Sequence, residues 1–296
     1  MAGIRQILQR KKAVESICRI TRTMEMISTA KYKAYHNKLD AVTEYHDALA
    51  RIGYLLMTSK EPIEHPLMKS NNSGRSAILA LGSMRGLCGS FNSHVYRLVD
   101  VHIKRAKQLG KKIDIYAPDR RIMNIFHHQG ITPAKVYKDI EETPTQAQIE
   151  DITNGFIEQY INGHIDYLGI VYMRYFSASS QKAQTLTVLP LPELIDDLTT
   201  RATVIWPWDM SLEDFYMSPS ASEVIEGLAR MIVQSSIEMC FMDSSISEHL
   251  ARMVAMRSAT ENAEGMIKDL NLEYNRARQG QITGELLDII GGTGVL

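Results

Sequence analysis

The 296-residue sequence is poor in the features that most often announce chemistry. It holds three cysteines, Cys18, Cys88 and Cys240, none in a CxxC pair. That spacing argues against a disulfide framework or a cysteine zinc site and fits a reducing compartment. No run approaches the ~18 apolar residues that a membrane span requires, and the amino terminus has no apolar signal core. The formal net charge of −1 lacks the basic excess of a nucleic-acid binder. Neither a GxGxxG nor a GxxxxGK[ST] phosphate loop occurs. His127-His128 has no carboxylate at metal spacing, and no Ser, His and Asp arrangement suggests a nucleophile. The expectation is therefore no catalytic residue, no cofactor site and no metal site. Enough apolar material remains, 45% of the chain, for one or two packed cores.

Proline is also missing where it would matter most. None occurs from Gly3 to Ser59, and none follows Pro219. The opening MAGIRQILQRKK is basic and amphipathic, but its helical pattern runs on through Met24, so it reads as mature sequence rather than a transit peptide. Ile17, Ile20, Met24 and Ile27 follow the 3,4 spacing of a helical seam, and Pro62 and Pro66 close the segment. Towards the other terminus a 3.5-residue frame runs from Ile225 through Leu228, Ile232, Ser235, Met239, Met242, Ile246, His249, Met253 and Met256. It continues through Thr260, Ala263, Ile267, Leu270, Tyr274 and Ala277. That period calls for a left-handed coiled coil, and Ser220 with Glu223 supplies a capping box at its start. A helix from Ser220 to Ile290 would be ~105 Å long, about twice the ~50 Å width of a globule of this chain length. The two terminal segments are thus expected to leave one domain together and pair antiparallel.

Between them, Ser76–Gly82, Lys111–Ala117, Ala134–Tyr137 and Asp166–Phe176 read as strands, with Ala183–Leu191 as an edge strand before Pro190 and Pro192. Asn92–Leu109, Asp119–Gln129 and Gln146–Asn162 read as helices. The expected fold class is α/β: a long antiparallel two-helix coiled coil from the N- and C-terminal segments, plus a central Rossmann-like α/β domain. Its expected divisions are residues 1–60, 75–205 and 218–290. The turn from Gly82 to Gly89 sits where a dinucleotide would bind, but it lacks the glycine spacing and the lysine. Charge is concentrated at one end: residues 1–38 carry nine Lys and Arg against two Glu, a formal +7. Such one-sidedness fits a solvated helix face or docking onto an acidic partner.

Several motifs resemble one known family. They are Ala2-Gly3-Ile4; Arg19-Ile20-Thr21-Arg22-Thr23-Met24-Glu25-Met26; Arg85-Gly86-Leu87-Cys88-Gly89-Ser90-Phe91-Asn92; and Leu189-Pro190-Leu191-Pro192. Near the carboxy terminus stand Ser247-Glu248-His249, Ala251-Arg252-Met253-Val254-Ala255-Met256, and Asn275-Arg276-Ala277-Arg278-Gln279 before Ile282-Thr283. Together they resemble the gamma subunits of F-type ATP synthases over nearly the whole chain.

That resemblance implies a non-catalytic central rotor shaft coupling proton or sodium flow to ATP synthesis and hydrolysis. Its partners would be the alpha, beta and epsilon subunits and the membrane c-ring. One copy per complex is implied, peripheral to the cytoplasmic face of a bacterial inner membrane, with no nucleic acid and no cofactor. Arg278, Gln279, Asn275, Thr283, Arg252, Met24 and Cys88 would face the alpha and beta subunits. Helix geometry agrees: if both helices leave the domain together, Met24, 35 residues before Ser59, faces the neighbourhood of Ala255, 35 residues after Ser220. Tyr216, Met217 and Ser218 would lie towards the c-ring, where Ser218 replaces the glutamate common in the family. The stretch 203–214, with Trp206 and Trp208, has no counterpart motif. A coiled-coil scaffold with a non-catalytic α/β domain is the alternative.

Overall fold

The proline-free start becomes one continuous helix, α1 (Ala2–Met57), and the heptad-patterned end becomes another, α6 (Ala221–Thr293), in the computed structural model of the chain. The structure describes residues 2–58, 64–118, 120–137, 140, 142–201, 215–218 and 220–293. Pro62, Trp206, Trp208 and Pro219 therefore lie outside the described residues. Ser220 caps α6 as its spacing predicts: its hydroxyl accepts from the Glu223 amide (3.3 Å) and lies 3.0 Å from the Glu223 carboxylate. The contacts divide the chain into two compact units, Met1–Ala30 with Arg252–Leu296, and Lys31–Ala251.

In the first unit α1 and α6 pair antiparallel. Val14 and Cys18 are buried with Ala263 and Leu270, and Ile7 and Ile267 pack at the edge of this cluster. The buried hydroxyls of Thr21 and Thr260 meet at 2.8 Å, and Arg22 forms an exposed ion pair with Glu264. The α6 frame holds, with Met256, Thr260, Ala263 and Leu270 buried and Ile267, Tyr274 and Ala277 half-buried. The α1 seam does not. Ile17, Ile20, Met24 and Ile27 are 38–57% exposed, and the buried stripe is Val14, Cys18, Thr21 and Ser28. Both stripes share the 3,4 period and lie one residue apart. Short side chains opposite Thr260 and Ala263 let the two backbones approach, so packing selects the smaller stripe. The observed register also places Met24 roughly one turn beyond Ala255. Extended to the end of α1, it brings Ala2 level with about Ile282, so α6 continues past the start of its partner.

The second unit is built on a five-stranded sheet in the order β3-β2-β1-β4-β5. Its strands are β1 (Arg75–Ala80), β2 (Lys112–Ala117), β3 (Lys135–Val136), β4 (Tyr167–Ser177) and β5 (Ser180–Leu189). Neighbours run parallel except β4 and β5, which form an antiparallel hairpin. Alternation along β1 sends Ile78 and Ala80 to one face and Ala77 and Leu79 to the other. On the first face lie α2 (Phe91–Gln108) and α3 (Arg120–His128), contributing Phe91, Val95, Val99, Ile122 and Phe126. The second face is covered by α4 (Gln146–Ile161) with Ile152, Phe156 and Tyr160, and by Leu49 of α1 and Ile232 and Ile237 of α6.

One element was not legible in the sequence. After β5 the chain turns directly into a helix, α5 (Leu191–Arg201), which adds Leu194, Ile195 and Leu198 to the second core. Pro192 falls in its first turn, where a missing N–H costs no helical hydrogen bond, so the proline pair opens a helix rather than ending structure. At Gly53 of α1 an added Cβ would meet Ile195 and Ile232 at 3.2 Å, which marks how closely α1 approaches α5 and α6.

The second core depends on Phe156, fully buried and edge-on to Tyr116 at 4.9 Å. Phe156→Ala is expected to cost this unit ~3–5 kcal/mol, by lost transfer energy and the cavity left behind. Urea denaturation followed by a probe in the sheet would measure it, and a loss below ~1 kcal/mol would contradict the assigned core.

Candidate functional site

In an open parallel sheet, ligands bind outside the carboxyl ends of the strands where strand order reverses. Here the order runs outward from β1 to β2 and β3, then returns to place β4 on the other side of β1, so the reversal lies between β1 and β4. The loop after β1, residues 81–90, occupies that point. Its two ends are fastened by side chains. The Ser83 amide donates to Asn92 Oδ1 (2.8 Å) and Asn92 Nδ2 to Ser83 Oγ (2.7 Å). The Met84 and Arg85 amides donate to the two carboxylate oxygens of Glu248 on α6, at 2.9 and 3.3 Å. Glu248 is 3% exposed. At this switch point two loop amides are thus satisfied by the chain's own carboxylate.

Past that clamp the chain turns sharply. Leu87 adopts a φ of 65° and Gly89 one of 60°. The left-handed conformation is free for glycine but costs leucine ~1–2 kcal/mol. Leu87 is 61% exposed, whereas Cys88 beside it is 4% exposed and packs with Phe91 and Val95. The expectation that Cys88 presents its thiol to a partner is therefore corrected: the loop turns Leu87 out and Cys88 in. Burial of the small thiol against Phe91 and Val95 anchors the loop.

A second polar cluster joins three elements of the same unit. Glu142, in the connection between β3 and α4, forms an ion pair with Lys31 of α1, and its Oε1 lies 3.2 Å from His249 Nε2 of α6. Ser245 donates to the Glu142 carbonyl (2.9 Å), and Tyr35 stacks on His249 with ring centroids 5.2 Å apart. His249 with Lys31 pulls the Glu142 carboxyl down to about 2, against the opposing effect of burial. Near the start of α6, His65 Nε2 lies 2.6 Å from Glu226 and lowers that carboxyl too. Neither node was singled out from the sequence, because the partners are far apart in the chain and share no motif. In the sequence His249 is a seam position and, with Glu248, part of the Ser247-Glu248-His249 motif, neither of which points to these partners.

The other expected site residues divide by exposure. Asn275, Arg278, Gln279 and Thr283 are all exposed on α6, and they lie within about two turns of each other. Met24 is exposed, but Arg252 is 5% exposed, so its guanidinium is not offered as a surface contact. Tyr216 is 95% exposed and Ser218 is exposed, while Met217 between them packs against the second core. Leu286 and Leu287 are also exposed, and Ile289 and Ile290 fall outside the residues whose side chains are described. The basic stretch keeps Arg5, Arg10, Lys12, Arg19, Arg22, Lys33 and Lys38 at the surface.

Comparison with known proteins matches the ATP synthase family model over residues 3–296. An ATP synthase gamma chain of Rhodopirellula baltica is 35% identical, the match covering 100% of this chain and 99% of that protein. One from Leptospira biflexa is 33% identical over 99% of this chain and 98% of that protein. Among solved structures, a chain of the Euglena gracilis mitochondrial ATP synthase superposes with a TM-score of 0.68 at 19% identity, covering 99% of this chain and 94% of that one. A chain of the Tetrahymena thermophila mitochondrial ATP synthase central stalk and c-ring structure gives 0.52 at 19% identity, covering 81% of this chain and 99% of that one.

The Glu142 node makes a pH-dependent contribution of definite sign. A carboxyl held below its unfolded value stabilises the fold above that unfolded value, and the contribution fades as pH falls towards about 2. Wild-type protein should therefore lose about 1–2 kcal/mol more stability than Glu142→Gln on acidification from about pH 5 to about pH 2, partial solvent access discounting the full shift. Parallel acid-denaturation curves for the two proteins would exclude the assignment.

Proposed function

The chain belongs to the ATP synthase gamma-chain family, and from that premise we propose that it is the central rotor shaft of an F-type ATP synthase, coupling ion flow through a c-ring to ATP chemistry on beta subunits. In this reading it carries no catalytic residue of its own. The observation that carries it is the outer surface of the paired helices. In the first unit Ile17, Ile20, Ile27, Val254, Met266, Leu272, Ile282, Leu286 and Leu287 are all between 44 and 63% exposed. Two helices have no interior in which to hide so many apolar side chains, and a sleeve of surrounding subunits would cover them.

Within that sleeve, Arg278, Gln279, Asn275 and Thr283 form a polar collar on exposed α6 surface, suited to charge-assisted hydrogen bonds with alpha and beta subunits. The exposed cations of α1 supply the matching electrostatic face for an acidic partner. Met24 joins the same face, whereas buried Arg252 and Cys88 act on partners only through the residues they support. Tyr216, Met217 and Ser218 belong to the end that meets the c-ring, with the epsilon subunit beside it. Among the described residues no helix is long and apolar enough to cross a membrane. A single copy attached peripherally, on the cytoplasmic face of a bacterial membrane, follows from the proposed role.

Purification of the tagged chain from its host should bring down alpha and beta subunits, and recovery of the chain alone would remove the basis for the assignment. Arg278→Ala is expected to remove interactions worth ~1.5–3 kcal/mol, lowering multi-site ATPase activity and coupled ion pumping about tenfold or more. Wild-type rate and torque in the reconstituted complex would show that Arg278 does not grip the head.

A further inference from the structure

A cavity of about 360 Å³ opens beside the starts of β1, β2 and β4, at the end of the sheet opposite the switch-point loop. Its walls are mainly apolar: Ile78, Ile113 and the Tyr167 ring come from the sheet, Ala106 and Leu109 from α2 and the turn after it. The floor is kept low by a glycine. A Cβ on Gly169 would stand 2.8 Å from Tyr167 Cε1 and 2.9 Å from Ile78 Cδ1. The Tyr167 ring therefore lies along β4 over bare backbone, its hydroxyl 3.2 Å from Thr187 Oγ1. Any side chain at position 169 would drive the ring and Ile78 into the space. Glycine weakens a strand interior, and one that persists there often marks a close approach by a ligand.

The polar groups of the cavity are of one prevailing sign. Lys111 Nζ donates to Asp166 Oδ2 (3.1 Å) and Ser76 Oγ to Asp166 Oδ1 (3.2 Å), so this buried carboxylate is satisfied and holds Lys111 in place. Burial, with Arg105 close by, pushes the His102 imidazole below its ordinary value, so it lines the wall uncharged at neutral pH, its Nε2 2.7 Å from Thr185 Oγ1. Arg105 is exposed, and among the described residues its guanidinium has no hydrogen-bond or ion-pair partner. From Lys104 to Lys112 the chain carries Lys104, Arg105, Lys107, Lys111 and Lys112 with no acid between them. Asp100 pairs with Lys104 and Asp166 with Lys111, which leaves Arg105, Lys107 and Lys112 against Glu193 of the lining.

We propose that this cavity binds an amphipathic anion with a single acyl chain, a fatty carboxylate, its chain against Ile78, Ala106 and Ile113 and its head on Arg105 and Lys111. An apolar slot with cations beside it is the complement of such a molecule. At about 30 Å³ for each water-sized group the slot holds roughly a dozen non-hydrogen atoms, the size of a medium-length chain. Arg105 supplies two parallel donors to a carboxylate, and Lys111 keeps donors beyond the one given to Asp166. All of these residues belong to the second unit, so the site is independent of the rotor-shaft reading.

The test is calorimetric titration of the full chain with octanoate, decanoate, dodecanoate and tetradecanoate below their micellar concentrations, and with dodecylammonium as the head of opposite charge. One carboxylate should bind per chain. Affinity should rise about tenfold from octanoate to decanoate and level off beyond dodecanoate, where the slot is full. Dodecylammonium should bind about tenfold more weakly than dodecanoate or worse, and Arg105→Gln should weaken dodecanoate about tenfold without changing the melting temperature of the unliganded protein. Ala106→Leu places extra atoms in the slot and should flatten the dependence on chain length. In amide spectra dodecanoate should shift Ser76, Ala106 and Ile113. No binding of dodecanoate, equal binding of dodecylammonium, or wild-type affinity in Arg105→Gln overturns the proposal. So does affinity that keeps climbing through tetradecanoate, which is the behaviour of adsorption to an outer surface rather than of a closed slot. Should Ala106→Leu not fold, the chain-length series and Arg105→Gln decide it.

Discussion

Everything in this chain depends on α6 running unbroken for 73 residues. A single helix serves two packing environments, and the sequence adjusts to each without interrupting the backbone hydrogen bonds. From Cys240 to Leu250 every residue is buried, so the helix is enclosed all round by α1, the sheet and the connection before α4. Beyond Met256 burial contracts to every third or fourth residue, as expected for a helix with one partner. The absence of proline after Pro219 is what permits this, since an interior proline would remove a hydrogen bond and kink the helix at ~3 kcal/mol or more. The four glycines from Gly227 to Gly284 are tolerated because none has a neighbour within 4 Å that a side chain would displace, so their cost is only the ~0.5–1 kcal/mol each relative to alanine.

The polar residues on the seam show how such a helix is held in one register. Hydrophobic heptads alone permit sliding by a full repeat, because each step replaces one apolar contact by another. Ser235, His249 and Thr260 are buried at frame positions. Ser235 satisfies itself on the Ile232 carbonyl, but Thr260 meets Thr21, and His249 meets Tyr35 and Glu142. Shifted by a heptad, Ser235, Thr21 and Thr260 would keep the hydrogen bonds to their own helices, but the Thr21–Thr260 contact would be lost and His249 would leave Glu142 and Tyr35. Loss of the buried His249–Glu142 contact, on the order of 1–3 kcal/mol, is large beside the small difference between alternative apolar registers. Specificity of pairing therefore resides in the few positions that lower the apolar content of the seam.

How much of this could be read from residues alone follows from whether the signal is local. Strand and helix positions in the α/β unit were legible because alternation and 3,4 spacing arise from each element's own geometry; β1, β2, β4 and α4 lie within two residues of the expected bounds. The α6 frame was legible for the same reason, its repeat being long enough to average out polar interruptions. The α1 stripe was misplaced by one residue because its large apolar side chains, which dominate any hydropathy pattern, face outward. The packed stripe uses Cys18, Thr21 and Ser28. α5 was hidden behind Pro190 and Pro192, punctuation that fits a stop and a helical first turn equally well. The resemblance makes Cys88 and Arg252 contact residues, yet both are buried, because a motif does not say which side chains the packing of a turn or helix covers.

Glu248 was the least legible of all, although it carries the geometry of the switch-point loop. Its partners are backbone amides 163 and 164 positions away, and a backbone amide leaves no mark in a sequence. Backbone amides at the carboxyl end of a first strand attract any anion that reaches them. A free phosphate must surrender translational freedom to occupy that seat, whereas a glutamate already delivered by a packed helix does not. Supplying the anion from α6 turns a ligand site into a joint between loop and helix. The property that suits such a crevice to a diffusible cofactor, a rigid array of inward-facing donors, then serves to fasten one part of the protein to another.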